Sequence, residues 1–255
     1  MAFDLNNFVI DRIIRGVALS HKDDSVLFSI NQIQNASLNC ASESADAVDA
    51  LGTPIATFYR AKSAEFSAEN ALFDMSLMAV QLGTKKKVAS AATKLVAPAM
   101  ETFTVAEGGK YELKHSPKVA PTEIYALNGD STFGTKYAKA TAASATEFSI
   151  ADKTISLPTG VAAGTDMFVM YEYETENAVE VVNSATEYPT GCKFVMEVLG
   201  CDVCDQTSLI YAYLLFPNFK LSPDFDWNVA TDGAHPFSGK AQQDLNFRSL
   251  AVKAA

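Results

Sequence analysis

The chain has 255 residues, 48% of them hydrophobic and 20% charged, which is enough to bury a substantial core and excludes wholesale disorder. Its 30 acidic and 20 basic side chains give a net charge of −10, which argues against tight electrostatic binding to nucleic acid. No run of residues approaches the about 20 apolar residues of a membrane-spanning helix. The first residues show no secretory signal, so we expect a soluble protein made in a cytoplasm.

The first hundred residues predict β-strands joined by polar turns. Strands are expected where apolar and β-branched residues stand between turn residues, at Val26–Ile30, Ala36–Cys40 and Thr53–Tyr59. Before the last of these, the small and acidic residues Glu43–Asp49 predict an exposed loop.

One amphipathic helix is predicted over residues 67–82. Its apolar residues recur in steps of three and four, at Ala68, Ala71, Leu72, Met75, Met78, Ala79 and Leu82. Ser67 suits the N-cap, and Gly83 suits the position after the helix, where a left-handed conformation is needed. Such a stripe packs on the sheet of its own domain more often than it forms a groove for a partner, so we expect it in the core.

Residues 101–185 predict a separate module of short strands. Leu95–Met100 is interpreted as a connector, and strands follow at 101–105, 111–115, 122–127, 137–140, 167–173 and 178–182, with a hairpin at 148–157. The last two strands are expected to form a hairpin around residues 175–177. This pattern favours an immunoglobulin-like β-sandwich, and its six basic and twelve acidic residues contribute −6 to the net charge.

From residue 186 the chain becomes strongly apolar again. Phe194–Leu199 and Leu209–Phe216 are near-continuous hydrophobic strands that need cover on both faces, and residues 242–250 are a candidate for closing the sheet. Because residues 1–100 contain too few strands for a complete core, we expect them to fold together with residues 186–255, and residues 101–185 to be an insertion. The expected fold class is mainly β: a β-sandwich or barrel with one packed α-helix, plus an inserted immunoglobulin-like β-sandwich.

Cys192, Cys201 and Cys204 are the candidate metal ligands. Cys201 and Cys204 have the CxxC spacing that chelates zinc or forms a redox pair, and Cys40 stands alone. A structural zinc site normally has a second ligand pair, and a redox pair normally lies at a strand-to-helix turn, but the sequence shows neither. We therefore favour small buried thiols, with no metal and no cofactor, over a site at these cysteines.

The sequence contains none of the common catalytic motifs. It has no GxSxG, HExxH, GxxxxGK or GxGxxG pattern. His21, His115 and His235 lie far apart, and each is more simply a turn or strand-end residue than a general base. We therefore expect no enzyme.

Two parts of the sequence resemble the tail tube proteins of tailed bacteriophages. The first runs from Gly52-Thr53-Pro54-Ile55 through Phe58-Tyr59-Arg60 and the following helix to Gly83-Thr84. The second contains Leu221-Ser222-Pro223-Asp224 and then residues 231–241, with an Asp-Gly turn before a final strand. The similarity covers residues 1–95 and 190–255, whereas residues 101–185 have no counterpart in minimal tube proteins.

The resemblance implies a hexameric ring whose subunits join their sheets into a continuous inner β-barrel. Rings would stack into the tail tube of the virion and conduct DNA into the host without binding it specifically, with the helix outside the barrel. Loops at Glu43–Gly52 and Thr84–Lys94 would bridge to the next ring. The implied partners are further copies of the chain and the sheath, baseplate and tail terminator proteins. Six copies at −10 give about −60 per ring, which would repel DNA phosphate.

Two alternatives remain open at this point. A capsid decoration or head-fibre protein would display the immunoglobulin-like module on a virion shell. A metal-dependent or redox module would use the three clustered cysteines.

Overall fold

The structure, a computed structural model, describes residues 7–203, 205–231, 233–242 and 247–253. By its contacts the chain divides into two compact units, the first formed by residues 1–86 and 181–255 and the second by residues 87–180. Each unit has its own hydrophobic core. No helix within these described ranges has the length and apolar character needed to cross a membrane.

The described residues are mainly β-structure, as predicted. The first unit begins with β1 Phe8–Ser20, β2 Val26–Ile30, β3 Ile33–Val48, β4 Pro54–Asn70 and α1 Met75–Gln81. The second unit contains β5 Lys87–Val88, β6 Leu95–Thr104, β7 Lys110–Glu112, β8 Pro117–Val119, β9 Glu123–Leu127, β10 Phe133–Lys139, β11 Glu147–Ala151, β12 Thr154–Ser156, β13 Asp166–Thr175 and β14 Val179–Glu180. The first unit is completed by β15 Gly191–Asp202, β16 Asp205–Leu221, β17 His235–Ala241 and β18 Arg248–Lys253.

The first unit is built on one curled sheet in the order β2-β1-β15-β16-β17-β4-β3, with β18 beside β16. Its predicted strands 194–199 and 209–216 are confirmed as the centres of β15 and β16, which pair antiparallel. One face of this sheet carries the core, where Phe194 contacts Phe66 and Phe219 at ring-centroid distances of 5.6 and 5.3 Å. Aromatic rings at these separations pack edge-to-face or offset, which favours a well-ordered core.

The helix is shorter than predicted. It spans Met75–Gln81, and the Asp74 side chain caps it by accepting hydrogen bonds from the backbone of Ser76 and Leu77 at 2.8 and 2.7 Å. The prediction of a start at Ser67 was wrong because residues 67–70 belong to β4 and pair with β17, so tertiary pairing overrides the local helical pattern. Gly83, with a φ of 72°, closes the helix as predicted.

Two further expectations for the first unit need correction. Residues 43–48, predicted as a loop, are part of β3 and pair with β4. The apolar stripe was right only in part: Ala79 is buried as predicted, but the other buried residues of the helix are Leu77 and Gln81, and Leu72 is exposed.

The second unit has a sheet in the order β6-β13-β9-β10-β11-β12-β7, with β8 beside β13. The predicted hairpin at 148–157 is confirmed as β11 and β12, and the predicted inward face of β13 buries Met167, Val169 and Tyr171. Leu95–Met100 is not a connector, because these residues pair with β13 as the first half of β6. Residues 178–182 do not form a hairpin with β13, since β14 pairs with β5. The immunoglobulin-like character of this unit stays a prediction.

Candidate assembly surfaces

A long β-hairpin extends beyond the core of the first unit. We call residues 41–62, the distal parts of β3 and β4, the arm; every one of them is exposed. The side chains of a β-strand alternate between the two faces, so exposure of every residue means that neither face of the arm is covered by described residues of this chain. A two-stranded ribbon in water is marginally stable by itself, which makes the arm a candidate for contact with a partner.

The arm carries apolar side chains that this chain leaves in solvent. Leu51 at the tip is 92% exposed, and Val48, Ile55, Phe58 and Tyr59 are each more than half exposed. Grouped exposed apolar residues of this kind mark interaction surfaces more often than single ones do.

The tip of the arm is held by hydrogen bonds. The Asp49 carboxylate accepts from the backbone N–H of Thr53 and Leu51 at 2.8 and 2.9 Å, and these bonds lower its pKa. Gly52 adopts a φ of 84°, a left-handed conformation that favours glycine. The turn is therefore formed within the single chain.

A β-bulge marks the base of the arm. The register of β3 against β4 shifts between Ala41 and Glu43, opposite Ala61, which has a φ of 46°. Bulges bend and twist a hairpin, so this one fixes the direction in which the arm leaves the core. The next inward-facing residue, Ala64, is buried.

The outer edge of the arm carries no proline or basic residue to block pairing, and its charged residues in β3 are Glu43 and Asp46. The sixteen residues of β3 include no proline, lysine or arginine. By contrast, the edge strand β6 of the second unit carries Pro98 near its middle. Proline and lysine on edge strands prevent association with other chains, so the chain protects one edge and leaves the other open.

The face of the first sheet opposite the core is a second apolar surface. Val17, Val195 and Leu215 form a row across β1, β15 and β16, and all three are only half-buried. The prediction that β15 and β16 are covered on both faces is met on the core face, but on the opposite face only in part: Glu197 and Leu199 of β15 are buried there, whereas Val195 and Leu215 are half-buried. On the same face, Leu250 and Val252 of β18 lie opposite Tyr213 and Tyr211 and are exposed.

Glu197 is a buried carboxylate within this second surface. Its Oε2 accepts from Arg15 Nε at 2.7 Å, and its Oε1 accepts from the Tyr213 hydroxyl at 2.9 Å. Both bonds satisfy the carboxylate, and the bond between Tyr213 and Glu197 raises the pKa of Tyr213. The arrangement links β1, β15 and β16, and both oxygens of the Glu197 carboxylate are engaged in it, so Glu197 is not placed to act as a general base.

The three histidines do not come together, and each has a local role. His21 Nε2 lies 3.3 Å from Asn218 Oδ1, and His115 stacks on Tyr173 at 3.9 Å. His235 is fully buried, where its Nδ1 accepts from the Asp74 backbone N–H at 3.3 Å and its Nε2 donates to Gln81 Oε1 at 2.8 Å. Burial lowers the pKa of His235.

The candidate metal ligands are not brought together where they are described. Cys192 is buried, its thiol lies 3.4 Å from the carbonyl oxygen of Phe219, and burial raises its pKa to about 12. Cys201 lies nine residues further along the same strand, about 30 Å away at the rise of an extended chain. Cys204 lies outside the described residues, and no group of potential metal ligands occurs in the part of the chain that the structure describes.

The second unit contains a buried carboxylate of its own. Glu101 on β6 accepts from the Tyr111 hydroxyl at 2.7 Å, from the Tyr171 hydroxyl, and from the Lys114 backbone N–H at 3.1 Å. Burial alone would raise the pKa of Glu101, but these hydrogen bonds outweigh it and lower the pKa. The bonds tie β6 to β7 and β13, which is a structural role.

The surfaces most open to a partner are thus the arm and the outer sheet face. Sequence reasoning predicted the β4 side of the arm as a strand at Thr53–Tyr59 but missed the β3 side, because its small and acidic residues indicate a loop. No curated protein matches the chain. A family model described as the YomU/Tube protein family matches residues 8–253. Since this match spans nearly the whole chain, the protein belongs to the YomU/Tube protein family.

Proposed function

We propose that this chain is the structural subunit of a phage tail tube, in which hexameric rings stack into the conduit for DNA. Membership of a tube protein family supports the general role. The observation that carries self-assembly is the arm, because a preformed hairpin with both faces in solvent and apolar residues at its tip needs a partner. The partner is a further copy of the chain, with no enzymatic step.

The charge of the chain supports a conduit that does not retain DNA. The net charge is −10, and the arm carries Glu43, Asp46 and Asp49 before its first basic residue, Arg60. Fixed negative charge repels the phosphate backbone, which keeps passing DNA from binding. Acidic side chains of the arm near the passage would serve this role.

We further propose that the tube contacts sheath, baseplate and tail terminator proteins in the virion. The second unit is then an immunoglobulin-like module that the tube displays. The second unit has its own core, including Ile124, Phe148 and Met167. A module with a complete core does not depend on the tube for its folding.

Negative-stain electron microscopy of the purified protein at several concentrations tests the proposal. Hollow tubes or stacked six-fold rings are the expected result. Monomers or trimers that bind capsids would instead support a decoration protein.

A matched pair of variants locates the contact. Phe58→Asp on the arm and Phe133→Asp on the second unit replace residues of similar exposure, 54% and 61%. Both proteins should fold, and only Phe58→Asp should reduce tube formation. Equal effects of the two variants would contradict a role for the arm.

A further inference from the structure

Two strands of the first sheet have long backbone edges without a partner among the described residues. On the side of β1 away from β15, β2 pairs only with Gly16–Leu19, which leaves Phe8–Arg15 open. At the other end of the sheet, β3 is the last strand, and its outer edge is open. Unpaired N–H and C=O groups in a row are a template for a strand of another chain.

The directions of these two strands make them complementary. Along the path β1-β15-β16-β17-β4-β3 each neighbouring pair is antiparallel. β1 and β3 therefore run in opposite directions. Rotation about a tube axis preserves the direction of every strand, so β3 of one copy would meet β1 of the next copy antiparallel.

The two open edges also lie at the same height along the direction of the strands. The strand register places Lys220 of β16 opposite Lys240 of β17, and Lys240 opposite Glu65 of β4. β16 and β4 are parallel, so Ile210 and Ile55, each ten residues before those positions, are at similar heights. Gly200 of β15 lies opposite both Ile210 of β16 and Ile10 of β1. Ile55 of the arm is therefore at a similar height to Ile10, in the open part of β1.

Charge favours the same pairing. β3 carries Glu43 and Asp46 and no basic residue, whereas the open part of β1 carries Asp11, Arg12 and Arg15. Opposite charges across a strand pair stabilise it and like charges destabilise it. The positively charged edge of β18 fits less well, because β18 is antiparallel to β16 and would therefore meet β3 in parallel.

From these observations we infer that the outer edge of β3 in one copy pairs antiparallel with Phe8–Arg15 in the neighbouring copy of the ring. This inference rests on the proposed assembly and names the strands that join the subunits. The alternation of strand direction from β1 through β15, β16, β17 and β4 to β3 would then continue into the next copy.

Cysteine crosslinking in the full-length protein tests the inference. The background replaces Cys40, Cys201 and Cys204 by serine and keeps the buried Cys192. Ala47→Cys on β3, which pairs with Ala56 next to Ile55, is combined with Val9→Cys or Ile10→Cys on β1, or with Val252→Cys on β18 as the matched control. All four positions are exposed. A short thiol-reactive crosslinker is added after electron microscopy has recorded the assembly state.

The expected result is a ladder of covalent multimers, up to the closed ring, for at least one β1 combination and a several-fold weaker ladder for the β18 control. Assemblies that crosslink only through β18, or through neither strand, would overturn the inference and leave the tube proposal standing. Failure to form any assembly in the background protein and in the unmodified protein would overturn both.

A charge exchange gives an independent check. Asp46→Lys should reduce assembly, and adding Arg12→Glu should restore part of it. Restoration by Arg248→Glu but not by Arg12→Glu would assign the contact to β18 and overturn the inference.

Discussion

Arg15 and Glu197 are cross-strand neighbours on β1 and β15, joined by a hydrogen bond of 2.7 Å from Arg15 Nε to Glu197 Oε2. The Glu197 side chain is only 10% exposed, whereas that of Arg15 is 58% exposed. The arginine therefore covers a carboxylate that would otherwise lie in an apolar surface. Removing the arginine leaves a charge with one remaining side-chain partner, the Tyr213 hydroxyl.

We expect the pair to contribute modestly to stability. A double-mutant cycle with Arg15→Ala and Glu197→Gln should give a coupling free energy of about 1 kcal/mol, because one partner is screened by solvent. Tyr213→Phe should lower the free energy of unfolding by about 1 kcal/mol. Urea denaturation measures all of these values. A coupling free energy near zero would show that the contact is incidental.

Leu77 and Leu72 provide a direct test of how the helix packs. Leu77 is fully buried, whereas Leu72, which the sequence pattern places in the core together with Met75, is 60% exposed. Leu77→Asp should unfold the first unit, because burying an unpaired carboxylate costs several kcal/mol. Leu72→Asp should change the free energy of unfolding by about 0.5 kcal/mol or less. Thermal melts that rank the two variants in the opposite order would refute this packing.

The error over Leu72 shows what the sequence alone can and cannot specify. Runs such as Phe194–Leu199 are predictable because only a covered strand accommodates them. Residues 67–70 have the composition of a helix, but their conformation follows from pairing with β17, which is distant in sequence. The β3 half of the arm was missed for the same reason: its residues 43–48 are small or acidic and show no clear strand pattern, and only the partner strand β4 makes them extended.

His235 should make the stability of the first unit depend on pH. Burial lowers its pKa below the reference value of 6.5, so the unfolded chain binds a proton at a higher pH than the folded protein does. Stability is then fully present above pH 6.5 and decreases as the pH falls from 6.5 to the lower folded-state pKa. Protonated Nδ1 would also face the Asp74 N–H, a second donor.

Denaturation followed by the fluorescence of Trp227 measures this dependence. Trp227 stacks on Phe73 at 4.4 Å, and Phe73 stacks on His235 at 4.9 Å, so the fluorophore is close to the titrating ring. His235→Gln should remove the pH-dependent loss in this window. An unchanged pH profile in that variant would assign the loss to another group.

Glu101 should stabilise the second unit through its tyrosine partners. Tyr111→Phe removes one hydrogen bond to a charged group and should lower the free energy of unfolding by about 1.5–3 kcal/mol. The pKa of Glu101 is lowered from 4.5, so its contribution is present above pH 4.5 and is lost as the pH falls through the folded-state pKa. Circular dichroism of the unit under acid titration checks the direction. Greater stability at low pH would contradict it.

Lys87 and Glu180 join the two ends of the second unit. Their side chains form an ion pair at 3.0 Å, β5 pairs with β14, and the Ala89 N–H donates to the Ala178 carbonyl at 2.8 Å. The unit therefore begins and ends at one place, which suits an insertion that can be removed. We expect residues 87–180, expressed alone, to fold cooperatively.

The complementary variant joins residue 86 to residue 181 through a short glycine-serine linker. It should fold and still form tubes, because the arm and both open edges belong to the retained unit. Cutting at residues 101 and 185 instead should give a less stable product, since it leaves half of β6 behind without β13. If the 86–181 variant folds but stays monomeric in electron micrographs, the second unit takes part in assembly and is more than a displayed module.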